Sequence, residues 1–154
     1  MVKTVFSSLK DFTAECKSSI EGKTTVFTNG CFDIIHPGHI DILFQAASLG
    51  DILIVGLNSD ASVRRLKGPG RPVQDETARA AVLAALKPVD YVVIFNEDTP
   101  LELIKGLKPG ILVKGSEYSE DEIVGSGIAG RTVRINMLPG YSTSNIINKI
   151  SGLK

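Results

Sequence analysis

The chain has 154 residues, enough for a single domain of ordinary size with a substantial buried core. Seventeen basic and seventeen acidic side chains leave no net charge, which argues against nucleic acid as a partner. A hydrophobic content of 43% and a charged content of 22% argue against a disordered chain. The apolar runs are short, and the N-terminus lacks a signal-peptide layout. We therefore expect a cytoplasmic protein with no membrane partner and a single domain over residues 1–154.

The two cysteines are not spaced as a metal site or a redox pair. Cys16 lies in a polar amphipathic segment, and Cys31 lies close to two histidines. Neither belongs to a CxxC or Cys/His pattern of the kind that binds zinc. We predict that both are reduced thiols, with no bound metal and no structural disulfide.

The first half of the chain alternates helical and strand patterns. Residues 7–21 are amphipathic and precede Gly22, which predicts an N-terminal helix that ends at the glycine. Residues 23–29 are β-branched and apolar, which predicts a strand. Residues 37–50 have apolar side chains at helical spacing. Residues 51–60 are apolar almost throughout, which indicates a strand covered on both faces.

The second half continues this alternation. Residues 61–73 begin as a short helix and break into a loop of glycine and proline. The further predicted elements are helices at 75–89, 99–107 and 142–150 and strands at 90–95, 110–115 and 131–140. The order predicts a Rossmann-like three-layer α/β/α fold with a five-stranded parallel sheet and a core over residues 24–151. In such sheets the ligand lies beyond the carboxyl ends of the strands.

A glycine-rich segment at residues 125–130, GSGIAG, matches the spacing GxGxxG. The dinucleotide-binding fingerprint of that spacing follows a strand and opens a helix. Here a polar segment precedes the glycines and a strand-like segment follows them. We interpret GSGIAG as a surface loop, and since the chain has no P-loop sequence, any nucleotide is bound by other residues.

Two histidines flank a Pro-Gly pair where the first of these strands gives way to a helix. His36 and His39 are three residues apart, so on a helical turn they share one face. The free N–H groups and the dipole at a helix N-terminus favour an anion, and imidazole donors would strengthen that preference. The alternative is that one histidine caps the helix and the other packs. A metal site would need further ligands, and the chain has no other histidine.

Residues 29–39, NGCFDIIHPGH, resemble the GxFDxxHxGH signature of a nucleotidyltransferase superfamily that includes small cytidylyl- and adenylyltransferases. The resemblance extends over residues 24–151, because four further segments occur in the family's order: RRLKG, EDTP, LVKG and STSNII. Together these segments are most similar to the adenylyltransferases of the ADP-heptose pathway. The resemblance implies an enzyme that transfers AMP from ATP to a heptose 1-phosphate, for lipopolysaccharide synthesis. It also implies Mg²⁺ accompanying ATP, and a homo-oligomer is an open expectation because the superfamily often dimerises.

The resemblance also implies roles for individual residues. The catalytic residues would be His36 and His39, which contact the triphosphate, and Lys67, which reaches the phosphates from a mobile loop. Arg79 would lie near the nucleotide and neutralise pyrophosphate. The other nucleotide-binding residues would be Cys31, Phe32, Gly140, Ser142 and Thr143. On the acceptor side, the matching positions are Lys114 and Gly115.

The residue types suit these roles on physical grounds as well. Residues 63–71, VRRLKGPGR, concentrate four cations, as in a lid that closes over phosphates, although such a run is also typical of a solvated surface. Ser142 and Thr143 begin a helix and could bind an anion or simply cap it. Asn58 and Asp60 follow a strand and are candidates for substrate binding. They could bind ribose or a magnesium-bound water, or they could cap the next helix.

Two other enzymatic functions and one non-enzymatic function remain as alternatives. The glycerol-3-phosphate cytidylyltransferases carry an arginine three residues before the glycine that corresponds to Gly140, whereas this chain has Met137. The departure favours adenylyl over cytidylyl transfer. FAD synthetases of the same superfamily share the HxGH turn and the basic loop, and a non-catalytic nucleotide sensor would keep the same fold. No kinase motif precedes the domain, so we expect the stand-alone form.

Overall fold

The computed structural model describes residues 4–119 and 122–153, and within these residues the chain forms six strands and six helices. The strands are β1 (Val5–Phe6), β2 (Thr25–Gly30), β3 (Ile52–Asn58), β4 (Tyr91–Phe95), β5 (Ile111–Gly115) and β6 (Arg131–Ile135). The helices are α1 (Leu9–Ile20), α2 (Pro37–Ala47), α3 (Asp60–Lys67), α4 (Glu76–Ala84), α5 (Leu101–Leu107) and α6 (Thr143–Ser151). No helix in the described ranges has the length and apolar character needed to cross a membrane.

The sheet reverses its strand order at its centre. Neighbouring strands are parallel, and their order across the sheet is β1-β4-β3-β2-β5-β6. The chain runs outwards from β2 through β3 and β4, then crosses back to β5 and β6. The reversal therefore lies between β2 and β5, which pair at Val26–Ile111 and Phe27–Leu112. A crevice at such a reversal is the usual ligand site of an open parallel sheet.

The predicted Rossmann-like parallel sheet with flanking helices is confirmed, but the predicted number of five strands is wrong. The described part of the chain has a sixth strand, β1, which pairs with β4 at the edge of the sheet. A strand of two residues is too short to show a periodic pattern, so the sequence did not reveal it. The helix predicted at 7–21 spans Leu9–Ile20, with Ser8 as its N-cap.

Helices cover both faces of the sheet because its inner strands are apolar on both sides. Every residue of β3 is buried, and successive side chains of a strand point to opposite faces. Leu53, Val55 and Leu57 pack in one cluster with Leu43 of α2 and Leu83 of α4. The other face has a second cluster that contains Ile52 and Ile54 together with aromatic side chains: Phe6, Phe12, Phe27, Tyr91 and Phe95. The two clusters hold the strand ends in a fixed arrangement.

Candidate active site

A cavity of about 260 Å³ opens at the carboxyl ends of β2 and β5, where the strand order reverses. Residues 28–33, the end of β2 and the turn after it, form part of its lining. The other lining residues are His39, Ile42, Lys67, Arg71, Lys114, Gly115, Glu117, Tyr118, Met137 and Thr143. We call it the histidine cavity. It lies where the topology indicates a ligand site.

A second cavity of about 360 Å³ adjoins the histidine cavity, and we call it the side cavity. Residues 29–31, Lys67, Lys114 and Tyr118 line both cavities. The side cavity continues past the ends of β3 and β4 and includes four further polar side chains: Asn58, Asp98, Thr99 and Glu122. Ligands in either cavity would therefore lie near Lys67 and Lys114.

The HPGH turn places the two histidines differently. His36 is the N-cap of α2, with extended backbone, and its Nδ1 accepts a hydrogen bond from the backbone N–H of His39 at 3.3 Å. The two rings stack, with centroids 3.7 Å apart and planes 18° apart. His39 lines the histidine cavity, whereas His36 is only 6% exposed. A Cβ on Gly38 would lie 3.1 Å from the His36 ring, so this close stacking favours glycine there.

Both histidines are neutral near pH 7. The pKa of His39 is lowered to about 4, mainly by burial and further by the nearby His36 and Lys67, with the Ile34 carbonyl partly opposing them. Burial also lowers the pKa of His36. Because Nδ1 of His36 accepts a hydrogen bond, its proton is on Nε2. A neutral imidazole still carries one N–H that can donate to a phosphate oxygen.

The depressed pKa of His39 predicts a pH dependence of stability. Between about pH 6.5 and about pH 4 the unfolded chain binds a proton on His39 that the folded chain does not. The stabilising contribution is therefore complete above that window and is lost as the pH falls through it. Relative to a His39→Asn variant, we expect the free energy of unfolding of the wild type to drop by about 2–3 kcal/mol across the window. Urea denaturation of both proteins at several pH values measures this drop. If the free energies of unfolding of the two proteins changed in parallel with pH, His39 would be well solvated.

Only part of the basic segment faces the histidine cavity. Lys67 ends α3, and Arg71 lies in the loop after it; both side chains line the cavity. Arg64 is exposed, and neither it nor Arg65 is among the lining residues. Arg65 pairs with Asp98 through its Nε at 2.7 Å. Two of the four cations predicted to act as a lid are therefore turned away from the cavity.

Asp33 holds the loop that carries Arg71 in place, a role that was not predicted from the sequence. Its carboxylate accepts hydrogen bonds from the backbone N–H groups of Val73 and Gln74 at 2.9 Å, and it pairs with Arg71 at 2.7 Å. Burial alone would raise the pKa of Asp33, but these donors outweigh burial and hold the pKa below its ordinary value. Asp33 belongs to the FD pair of the signature, which was the signal available in the sequence.

Lys114 stands at the junction of the two cavities, at the end of β5. Burial lowers the pKa of its ammonium group, while the charges of Glu117 and Cys31 oppose this effect. Its Nζ lies 5.7 Å from the centre of the Tyr118 ring. Gly115 lines the histidine cavity beside it. A partly desolvated ammonium group is a strong partner for an incoming anion.

The start of α6 contributes one hydroxyl to the histidine cavity. Ser142 is the N-cap, and its hydroxyl accepts a hydrogen bond from the Asn145 N–H at 3.0 Å, so it caps the helix as the simpler interpretation suggested. Thr143 lines the cavity, and its hydroxyl donates to the Ile34 carbonyl at 3.3 Å. Gly140 has φ of 87°, a left-handed conformation that favours glycine in the turn before α6.

Residues 27–149 match the family described as cytidylyltransferase-like. The chain belongs to this family. The resemblance inferred from the HPGH turn and the four further segments is thereby confirmed.

Family members with similar sequences include much longer proteins. The chain is 60% identical over 131 residues to the bifunctional protein HldE of Campylobacter fetus subsp. fetus. The matched region covers 85% of this chain and 29% of that protein. The bifunctional protein HldE of a Campylobacter jejuni strain is 56% identical over 152 residues, 94% of this chain and 33% of that protein. The chain thus spans about a third of these relatives.

Solved structures of the same fold include one with clear sequence similarity. It is the lipopolysaccharide core biosynthesis protein from Thermoplasma volcanium GSS1, 34% identical with a TM-score of 0.66, covering 76% of this chain and 99% of that one. Pantoate-beta-alanine ligase from Francisella tularensis has a TM-score of 0.63 at 15% identity, covering 97% of this chain and 78% of that one. The second similarity shows the fold alone.

Within this family member, Arg79 contacts a residue that lines the histidine cavity but is itself buried. Its side chain is fully buried, and its guanidinium donates to the carbonyls of Gln74, Cys31 and Asn58 at 2.7–3.0 Å and to the carboxylate of Asp60 at 2.7 Å. It does not line the histidine cavity. The prediction that Arg79 neutralises pyrophosphate directly is corrected. Arg79 instead holds the carbonyl of Cys31 beneath the cavity.

The two candidates at the end of β3, Asn58 and Asp60, have different environments. Neither caps α3, because the Ser59 hydroxyl accepts the hydrogen bond from the Ser62 N–H at 3.2 Å. Asn58 donates from its side chain to the Ser62 hydroxyl at 3.0 Å and lines the side cavity, so it remains a candidate for acceptor binding. Asp60 pairs with Arg79 and lines neither cavity, which corrects its prediction as a substrate ligand.

The GSGIAG segment is a series of turns and bends that leads into β6. None of its residues, 125–130, lines the histidine cavity or the side cavity. Its interpretation as a loop is therefore confirmed. Cys31 and Phe32, in contrast, both line the histidine cavity, and the ring of Phe32 lies 5.1 Å from that of His39.

Proposed function

We propose that the protein transfers AMP from ATP to a heptose 1-phosphate, giving ADP-heptose and pyrophosphate for the synthesis of surface glycans. The single observation that carries this proposal is that three groups able to bind phosphate line one cavity at the strand-order reversal: His39, Lys67 and Lys114. The sequence identity to the HldE proteins supports the heptose as acceptor. The departure at Met137 supports ATP over CTP as donor.

The reaction suits a cavity that contains cations, because it needs no general base. An oxygen of the acceptor phosphate attacks the α-phosphorus of ATP, and the bond from that phosphorus to the oxygen bridging the β-phosphate breaks. The acceptor phosphate has a second pKa of about 6, so it is already ionised at neutral pH. The remaining tasks are to bring two anions together and to stabilise charge on the α-phosphate. Neutral His39 can donate its N–H for that purpose.

The two cavities suit the two substrates. ATP would occupy the histidine cavity, with its α-phosphate near His39 and the start of α6. The sugar phosphate would occupy the side cavity, where Asn58, Asp98, Thr99 and Glu122 offer hydroxyl-binding groups. Lys67 and Lys114 line both cavities, so they would contact the reacting phosphates from both substrates.

Mg²⁺ is proposed to arrive with ATP rather than to occupy a site made by the protein. The described residues contain no group of three or more side chains suited to hold a metal ion. Mg²⁺ commonly binds substrate phosphates, waters and one or two carboxylates. In the histidine cavity, Asp33 is committed to Arg71 and to backbone donors, so Glu117 is the carboxylate left to approach the ion. When bound, the ion would neutralise charge on the pyrophosphate.

A screen of pyrophosphate release tests the proposed function. Four nucleoside triphosphates are each combined with both anomers of heptose 1-phosphate, with hexose 1-phosphates, with glycerol 3-phosphate and with FMN; omission of the acceptor is the control. We expect release with ATP and a heptose 1-phosphate, at a kcat/KM well above that of the other pairs. Release with CTP and glycerol 3-phosphate, or with ATP and FMN, would instead identify the corresponding alternative enzyme. ATP binding without release from any acceptor would indicate a nucleotide sensor.

A further inference from the structure

We propose that Arg71 is a direct ligand of the ATP phosphates and that Asp33 is its positioning residue. The inference rests on the proposed function, because it takes the histidine cavity as the donor site. Arg71 follows α3 in a loop of glycine and proline, and the sequence indicated it only as one of four cations. In the folded protein its environment differs from that of the neighbouring arginines.

One nitrogen of the Arg71 guanidinium has an ion-pair partner, and another has no hydrogen-bond acceptor among the described residues. Its Nε pairs with Asp33 at 2.7 Å, and the two side chains are 15% and 1% exposed. Its Nη2 is buried and has no hydrogen-bond acceptor among the residues that the structure describes. Buried guanidinium donors without an acceptor are uncommon in folded proteins. Since Arg71 lines the histidine cavity, an oxygen of a bound ligand can supply the missing acceptor.

The position of Arg71 indicates which substrate supplies that oxygen. Lys67 and Lys114 line both cavities, whereas Arg71 lines the histidine cavity alone, together with His39 and Thr143. An anion that reaches Arg71 therefore occupies the part of the site assigned to ATP. A phosphate oxygen is the suitable partner, because a guanidinium binds phosphate through charge-assisted hydrogen bonds.

Asp33 determines the orientation of this guanidinium. Its carboxylate accepts the backbone N–H groups of Val73 and Gln74, and the side-chain amide of Gln74 donates to the Asp33 carbonyl at 2.6 Å. The loop is thus held to Asp33 through the Arg71 side chain and through the two residues Val73 and Gln74 that follow it closely. A lysine could pair with Asp33, but its single ammonium group has no second edge to present to a phosphate.

The test compares Arg71→Gln and Arg71→Lys with Arg64→Gln, a matched loss of charge at an exposed position of the same segment. The dissociation constant of ATP is measured by calorimetry without acceptor, and KM is then measured for each substrate. We expect both Arg71 variants to weaken ATP binding about 10- to 100-fold, the size of one charge-assisted hydrogen bond. The KM of the acceptor should stay at its wild-type value in the Arg71 variants. Arg64→Gln should keep the wild-type melting temperature.

The positioning role is tested with Asp33→Asn and with the double variant Asp33→Asn/Arg71→Gln. Arg71→Gln leaves the Asp33 carboxylate buried without its cation and is expected to lower the melting temperature. The double variant should recover stability but not ATP affinity. Asp33→Asn alone should weaken ATP binding less than Arg71→Gln does, and the two effects should not add, because both act through one guanidinium.

Each other outcome overturns a defined part of the inference. ATP affinity that stays at the wild-type value in a destabilised Arg71 variant would show that Arg71 is only a structural clamp. A rise confined to the KM of the acceptor would show that Arg71 contacts the phosphate of the acceptor and not those of ATP. If the wild type binds ATP but releases pyrophosphate only with a different acceptor, the proposed function fails while the binding result for Arg71 stands. A wild type that binds no nucleotide overturns both proposals.

Discussion

Replacing His39 by alanine is expected to lower kcat about 10²- to 10³-fold, the effect typical of losing one donor to a transition-state oxyanion. The imidazole lines the histidine cavity, and because burial and the neighbouring ammonium group of Lys67 keep it neutral, it acts as a hydrogen-bond donor rather than as an acid. ATP affinity should change much less, since the interaction strengthens only as charge develops on the α-phosphate. Single-turnover rates and calorimetric ATP binding, measured on the same preparation, separate the two effects.

His36→Ala and Gln45→Ala are the informative comparisons. His36→Ala should also lower kcat, because the ring that stacks on His39 at 3.7 Å is lost. It should in addition lower the free energy of unfolding by about 1 kcal/mol, as the N-cap of α2 is removed. Gln45 is exposed on the same helix, and its replacement should leave turnover unchanged. Near-normal turnover in His39→Ala would refute the assignment of His39 to the phosphate chain.

Replacing Arg79 by alanine is expected to lower the free energy of unfolding by about 3–5 kcal/mol, the usual consequence of removing one partner from a buried ion pair. The substitution leaves three backbone carbonyls and the Asp60 carboxylate without the donors that now satisfy them. Arg79→Lys should also be strongly destabilising, because one ammonium group cannot reach all four acceptors. Equilibrium denaturation in urea measures both changes.

Arg65→Ala is the matched control for Arg79→Ala. Arg65 also forms an ion pair at 2.7 Å, but both side chains of that pair are about half exposed. Its loss should therefore cost at most about 1 kcal/mol. A stable Arg79→Ala protein with a raised KM for ATP would contradict the buried, structural position of Arg79 and would restore its predicted contact with pyrophosphate.

Much of the fold and part of the site could be predicted because their signals are local. The apolar run at residues 51–60 indicated a strand covered on both faces, and every residue of β3 is buried. The HPGH turn indicated a helix start with two histidines, and in the structure His36 caps α2 while His39 lines the cavity. Helix geometry alone predicts that two residues three positions apart lie on the same face.

The predictions that failed and the contacts that were missed concern side chains whose partners are distant in sequence. Asp33 and Arg71 are 38 residues apart, and Arg79 bonds to a carbonyl 48 residues away. Nothing in the sequence distinguishes Arg71, which lines the cavity, from Arg65, which pairs with Asp98. The same holds for β1, whose two residues become a strand only because the edge of β4 is available to pair with them.

The sequence by itself determined the alternation of elements and the helix start at the HPGH turn, because these depend on spacing within a few residues. The tertiary structure decided which charges face a ligand and which are buried as supports. That choice depends on the strand order, which brings the ends of β2 and β5 together and places Arg79 beneath the cavity and Arg71 at its edge. A buried charge must find its partner wherever the fold places one, and the spacing of residues along the chain does not specify that place.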